Sequence, residues 1–347
     1  MTPLPGSVLV LGLVPMHARP GDPIPPLTPE RLLTAWTFDI WALLGVLVPT
    51  ALYLTGVWRL HRRGDHWPVG RTLAFVGGGM GFTAIALLSP IATYDTVLLS
   101  VHMVQHMILT MPVPLFMALG APVTLALRVL PKGTRRVLVG ILHSKPVKVL
   151  SFPLVAFALY IANPFVLYFS PLYLVTLQSD FWHNFLHLHF VVTASLFYWP
   201  LVGSDPIPNR LGYPFRVLLF MLTLPFHAFL GVTIMGSRTL IAEEWYLAFE
   251  RAWPPSPLAD QEIAGGILWG TGDAIASLVI FILFVQWFRT SQAEARRVDR
   301  QLDREEAAAR RRDRTKAVSS GAGEAGDPDE PAGVDQSSSA GPGRSES

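Results

Sequence analysis

The chain contains no cysteine. That absence excludes disulfides, CxxC redox chemistry and thiolate metal sites together, so any metal here must be held by His, Met or carboxylates. Charge is scarce as well. Asp, Glu, Lys and Arg make up 15% of the 347 residues, where a soluble domain carries roughly a quarter. Much of that charge lies beyond Arg289, which leaves the remainder too apolar for a water-soluble globule. What is present in excess is apolar: hydrophobic residues reach 51% and the mean hydropathy is +0.40. The pI is near 9.0, yet the formal net charge is only +2. Nucleic acid is therefore not an expected partner, and the lipid bilayer is.

A bilayer crossing needs about 20 mostly apolar residues. Seven runs qualify, at 36–58, 70–89, 97–119, 149–169, 181–202, 214–235 and 264–288. The expected fold is all-α: a polytopic membrane helix bundle of seven transmembrane helices across 36–290. It is preceded by a Pro-rich segment, 1–35, and followed by a tail, 291–347. In the first segment, Val8–Val14 is too short to span, and no Lys or Arg precedes it as in a signal peptide. Basic residues accumulate on the cytoplasmic side of a membrane. When loops are assigned alternately, 23 of the 27 Lys and Arg fall on the side of the C-terminal tail. The expected protein is thus multi-pass in the plasma membrane, with its N-terminus outside and its C-terminus cytoplasmic.

Smaller features carry their own expectations. Thr134–Leu142 reads as a short helix in the cytoplasmic interface. The tail continues as a polar helix to about Lys316, and Ser319–Ser347, rich in Gly, Ser, Pro and acid, is expected to be disordered. Gly77 and Gly81 form a GxxxG pair suited to close helix packing. Glu243, Glu244, Trp245, Tyr246 and Trp253 form an acidic, aromatic outer loop, whose exposed Trp and Tyr are expected to anchor a partner or to sit in a membrane-interface aromatic belt.

Ionisable side chains at membrane depth are costly and raise a functional question. The third run carries His102-Met103-Val104-Gln105-His106-Met107. Residues four apart on a helix are separated by about 40°, so its two imidazoles share one face. The fifth run repeats the spacing with His183 and His187, while His189 lies about 200° from His187. The sixth adds His227, the seventh Asp273. At 1.5 Å per residue all six principal groups fall within about 14 Å of the outer boundary. A lone intramembrane His is as readily explained by a bond to a neighbouring helix, and methionines are common core fillers. Four imidazoles on two helices at matching depth favour a metal or cofactor site. His, with thioethers nearby, tilts the metal towards copper. His61, His66 and His143 lie in loops and need no such account.

These motifs carry a resemblance. His102 to Met107, then Leu119-Gly120-Ala121-Pro122-Val123-Thr124-Leu125-Ala126-Leu127-Arg128, is similar to the CtaG-type cytochrome c oxidase assembly factors of Gram-positive bacteria. So are His187-Leu188-His189-Phe190, Tyr198-Trp199-Pro200-Leu201 with Asp205-Pro206, and Pro225-Phe226-His227-Ala228-Phe229. Asp260-Gln261, Gly265-Gly266 and Gln286-Trp287 fit as well, and the likeness runs from about Trp36 to Arg300. Asp273 stands where much of that family carries Glu. The resemblance implies a seven-helix protein needed to mature a haem–copper oxidase through copper delivery or incorporation. Its partners would be oxidase subunits and an extracytoplasmic copper chaperone.

The expected site is a transient copper site near the outer face. His102, His106, His183 and His187 are first-choice ligands, His227 is a fifth, and Asp273 supplies charge balance. No nucleophile, cofactor loop or acid/base pair points to turnover, so no enzyme is expected. Three rivals remain. A haem protein would leave a second His on each helix unexplained, and haem is not expected. A copper permease would need polar groups through both leaflets. A metal-free scaffold for the oxidase is the third.

Overall fold

The computed structural model describes residues 17–22, 24–36, 39–206 and 211–321, with side chains through Asp313. The short run Val8–Val14 and the stretch 322–347 of the expected disordered tail lie outside these residues. Every regular element among the described residues is helical. The apolar helices are, in chain order, α1 (Ile40–Arg62), α2 (Val69–Tyr94), α3 (Leu99–Val129), α4 (Pro153–Tyr168), α5 (Leu172–Gln178), α6 (Asp180–Val202), α7 (Tyr213–Gly236) and α8 (Pro257–Gly321). Six of them, all but α4 and α5, are each long and apolar enough to cross a membrane. The chain is a helical membrane protein.

The fourth expected span is not one helix. α4 ends at Tyr168, and α5 leaves it at 72° after a three-residue break. At 1.5 Å per residue a helix the length of α4 reaches about 24 Å, short of the roughly 30 Å apolar core. The break falls at Phe169-Ser170-Pro171, where the proline disfavours helical geometry for the residue before it. A count of seven crossings is reached only if the bent pair serves as one.

The chain divides into two compact units, Met1–Trp287 and Phe288–Ser347. In the second unit the polar continuation of α8 is solvent-exposed and carries spaced pairs such as Arg310–Glu306 at 3.7 Å. In the first unit, breaks in α2 and α3 are tied down by specific bonds. α3 kinks at Met111-Pro112 and again at Ala121-Pro122, where Ala121 adopts a left-handed φ of 50°. That conformation costs a non-glycine residue about 1–2 kcal/mol. Asp205 offsets it by capping the last piece of α3. Its carboxylate accepts from Thr124 N at 2.6 Å and from Trp199 Nε1 at 2.9 Å. Nearby, Tyr53 stacks on Phe75 at 4.2 Å and donates to Gly120 O at 2.8 Å, joining α1, α2 and α3.

Close approach between helices uses other glycines than the expected pair. A Cβ at Gly77 would meet nothing, and one at Gly81 only its own helix. Residues Leu73–Met80 are π-helical, and this turns Gly78 and Gly79 towards α3 instead. A Cβ on Gly79 would lie 2.8 Å from Met117 Cγ. A second crossing pairs α7 with α8, where a Cβ on Gly231 would lie 2.7 Å from Gly265 O. This contact brings the His227 face of α7 against α8.

At the end where α3 begins, the loops fold inward. Trp245 Nε1 donates to Thr96 O at 2.8 Å, and the Tyr246 and Tyr173 hydroxyls are 2.6 Å apart. Both Trp245 and Tyr246 are buried, which corrects their reading as exposed anchors; Glu243 and Glu244 are the exposed members. Lys132–Leu142, the helix expected near 134–142, buries none of its residues.

Candidate metal centre

The paired histidines emerge on buried helix faces. His183 and His187, one turn apart on α6, have ring centroids 4.7 Å apart. His102 on α3 faces them across the helix interface, with its ring 6.0 Å from that of His183. Each of these three side chains is buried. Both ring nitrogens of His102, and Nδ1 of His183 and of His187, find no hydrogen-bond partner among the described residues. A buried polar atom left in this way costs about 1–3 kcal/mol, so four of them in one cluster need a reason.

The other nitrogens of the pair are held. His187 Nε2 lies 2.9 Å from Gln105 Oε1, and Gln105 Nε2 donates to Ala86 O at 3.0 Å. The amide can donate only through its nitrogen, so its oxygen must accept, and His187 must carry its proton on Nε2. The lone pair of a neutral His187 is then on Nδ1, the unpartnered atom. His183 Nε2 sits 2.9 Å from Asp95 Oδ2, and His187 Nε2 is 3.8 Å from the same oxygen.

Asp95 lies in the link between α2 and α3 and is completely buried. Burial raises its carboxyl, but His183 and then His17 outweigh that and hold it well below the usual carboxylate range. His17, from the N-terminal segment, places Nδ1 3.5 Å from Asp95 Oδ1. Burial lowers the His17 imidazole, Asp95 beside it raises it, and the net direction is upward. Neither residue was singled out from the sequence. Asp95 falls between two apolar runs, and His17 sits in a flank whose packing no local pattern announces.

The remaining expected residues form a second group further along α3. His106 is buried with Nδ1 2.9 Å from the Tyr168 hydroxyl, which in turn lies 3.9 Å from Met103 Sδ. Its ring packs at 4.3 Å on Phe190. His227 is buried near Tyr160, and a Cβ on Gly272 of α8 would meet both His227 Cγ and Met107 Cε at 3.3 Å. The His227 ring and the Met107 methyl therefore both border Gly272. Asp273, next to Gly272, is half-buried, and no hydrogen bond or ion pair joins it to a described histidine. His189 turns away from the cluster, with Nε2 3.1 Å from Asn163 Oδ1. A cavity of about 370 Å³ opens at the α4–α5 bend, lined by Tyr168, Ser170, Thr233 and Thr239 among others. Tyr168 thus stands between that cavity and His106.

Apolar helices closing over a buried layer of imidazoles, thioethers and one carboxylate define a helical membrane protein with a polar, donor-rich interior. The chain belongs to the cytochrome c oxidase caa3 assembly factor family (Caa3_CtaG), whose match covers residues 51–290. Asp95 and the helix-borne histidines fall within the match; His17 lies before it. The chain is 40% identical over 292 residues to the uncharacterized protein Mb0105 of Mycobacterium bovis and equally to MT0111 of Mycobacterium tuberculosis. Each alignment covers 81% of this chain and 43% of the relative. It is 36% identical over 280 residues to ML1998 of Mycobacterium leprae, covering 79% of this chain and 42% of the relative. The chain therefore spans less than half the length of these curated relatives. No solved structure matches it.

Proposed function

We propose that this chain acts as a non-catalytic assembly factor for a haem–copper cytochrome c oxidase in the plasma membrane, binding copper transiently and aiding its delivery to or incorporation into the oxidase. The bent α4–α5 pair completes seven crossings, with the N-terminus outside and the C-terminus cytoplasmic. The copper ligands are drawn from His102, His106, His183, His187 and His227, with Asp273 beside the His227 layer. Oxidase subunits are the partners, and an extracytoplasmic copper chaperone is the donor. The observation that carries this reading is the cluster of buried imidazole nitrogens without partners on α3 and α6. Neither nitrogen of His102 is held, while the opposite nitrogen of His187 is held by Gln105. Such orienting bonds accompany most metal-bound histidines. Neutral imidazoles with thioethers nearby suit copper and release it more readily than thiolates.

The test is the metal content and visible spectrum of the protein purified under mild conditions. Copper in a stoichiometric amount, without a Soret band, supports the proposal. A Soret band would replace it with a haem protein, and absence of any metal with a scaffold.

A further inference from the structure

His17, Asp95 and His183 come from three different parts of the chain and meet in one buried knot. One ligand atom from each lies within 4.8 Å of the other two. With bonds of about 2.0 Å, neighbouring ligands lie about 2.8 Å apart around a square-planar ion, the geometry Cu(II) favours, and about 3.4 Å apart around a tetrahedral one. The His183–Asp95 and His17–Asp95 separations, 2.9 and 3.5 Å, fall close to these edges. The rings of His17 and His183 are 4.3 Å apart, tilted by 55°. Each side chain is more than nine-tenths buried.

We propose that His17, Asp95 and His183 form a cation site of the two-nitrogen, one-oxygen type. It takes a borderline divalent ion, Cu(II) in the context of oxidase assembly, so the proposal rests on the functional reading above and deepens it. Imidazole with carboxylate suits Cu(II) and Zn(II), whereas the thioethers around His106 and His227 belong to a softer set. The ion takes the place of the proton shared by His183 and Asp95, and the carboxylate offsets its charge in a buried setting. His17 is the exchangeable ligand, because it is carried by the non-helical N-terminal segment, whereas Asp95 is held in the short link between α2 and α3 and His183 on α6. That segment lies across the helix ends through Thr96 Oγ1 to Ala18 O at 2.9 Å, Tyr94 OH to Pro25 O at 2.9 Å and Trp253 Nε1 to Ile24 O at 3.1 Å. At its start Arg19 pairs with Asp180 at 2.7 Å, at the head of α6.

The rival explanation is a purely structural ion pair, in which protonated His17 neutralises buried Asp95. The experiment that separates the two uses the full-length, tag-free protein in detergent. Cu(II) is titrated against a chelator of known affinity, with electron paramagnetic resonance and thermal melting recorded in parallel. The expected result is one bound Cu(II) with imidazole nitrogen couplings. His17→Ala and Asp95→Asn should each weaken it at least tenfold, the scale on which even outer-shell losses act, while His189→Ala, which removes a bond to Asn163 outside the cluster, leaves it unchanged. Should Asp95→Asn fail to fold, His17→Ala and His17→Gln carry the test alone. If His17 and Asp95 variants melt earlier but bind Cu(II) like the wild type, the pair is structural and the site is overturned. If in addition His187→Ala loses copper, the functional reading stands and only this inference falls. If the wild type binds no copper at all, both fall.

Discussion

Replacing Gln105 by Leu isolates what holds the imidazole cluster in order. The side chain is completely buried and makes two bonds, accepting from His187 Nε2 at 2.9 Å and donating to Ala86 O at 3.0 Å. Leu has nearly the same volume, so packing changes little, but one N–H and one C=O lose their partners. In water-soluble proteins each orphan costs about 1–3 kcal/mol. Between membrane helices the measured worth of such bonds averages only about 0.6 kcal/mol, because the unfolded reference finds partners too. The smaller figure governs here, and the two lost bonds should together cost about 1 kcal/mol. The larger effect is on the ligand. Freed of Gln105, the His187 ring can rotate and exchange tautomers, which should weaken copper binding about 10–100-fold. Chelator competition on the purified variant measures the affinity, and thermal unfolding in the same detergent measures the stability. Wild-type copper affinity in Gln105→Leu, alongside lost affinity in His187→Ala, would refute the orienting role.

Three further outcomes are expected. His106→Ala or His187→Ala should insert and fold, lose copper binding, and leave cells with oxidase that contains haem but lacks activity, partly rescued by added copper; normal oxidase maturation by both in copper-limited medium would make these imidazoles structural. His189→Ala should leave copper binding unchanged and cost no more than about 1 kcal/mol, since it removes one bond to Asn163 outside the cluster; chelator competition again decides. Gly231→Val should cost about 1–3 kcal/mol as an overpacked crossing, because the added carbon meets Gly265 O and the Trp269 backbone N at 2.7 and 2.9 Å. Unaltered melting of that variant would show that α7 and α8 do not cross there.

The parts of this structure legible in the sequence are those set by local periodicity. Apolar runs of twenty residues mark helices without reference to neighbours, and spacing of four places His183 beside His187. The same geometry turns His189 towards Asn163 and away from the pair. What escaped depends on tertiary contact or on a departure from α geometry. The GxxxG reading failed because Leu73–Met80 is π-helical, so its i→i+5 bonding rotates different glycines into the contact. The break after Tyr168 had a local signal in Ser170-Pro171, outweighed by the surrounding hydropathy. Trp245 and Tyr246 have the composition of surface anchors, and only their hydrogen bonds to Thr96 and Tyr173 reveal burial. His17 is the extreme case, since its neighbours are 78 and more residues away in sequence.

The carboxylate of Asp260 ties the first turn of α8 to the first turn of α3. It accepts from Leu99 N at 2.6 Å and Ser100 N at 3.4 Å, and bonds the Ser100 hydroxyl as well. A negative group at a helix N-terminus satisfies free N–H donors and matches the helix dipole. His102 follows within one turn, so this clamp sets the height at which its imidazole meets His183. Two helices pinned at a common origin behave as a pair of calipers: a shift of α8 along its axis is transmitted to the first turn of α3. The spacing of the histidine layer is thereby governed from a point that contains no histidine.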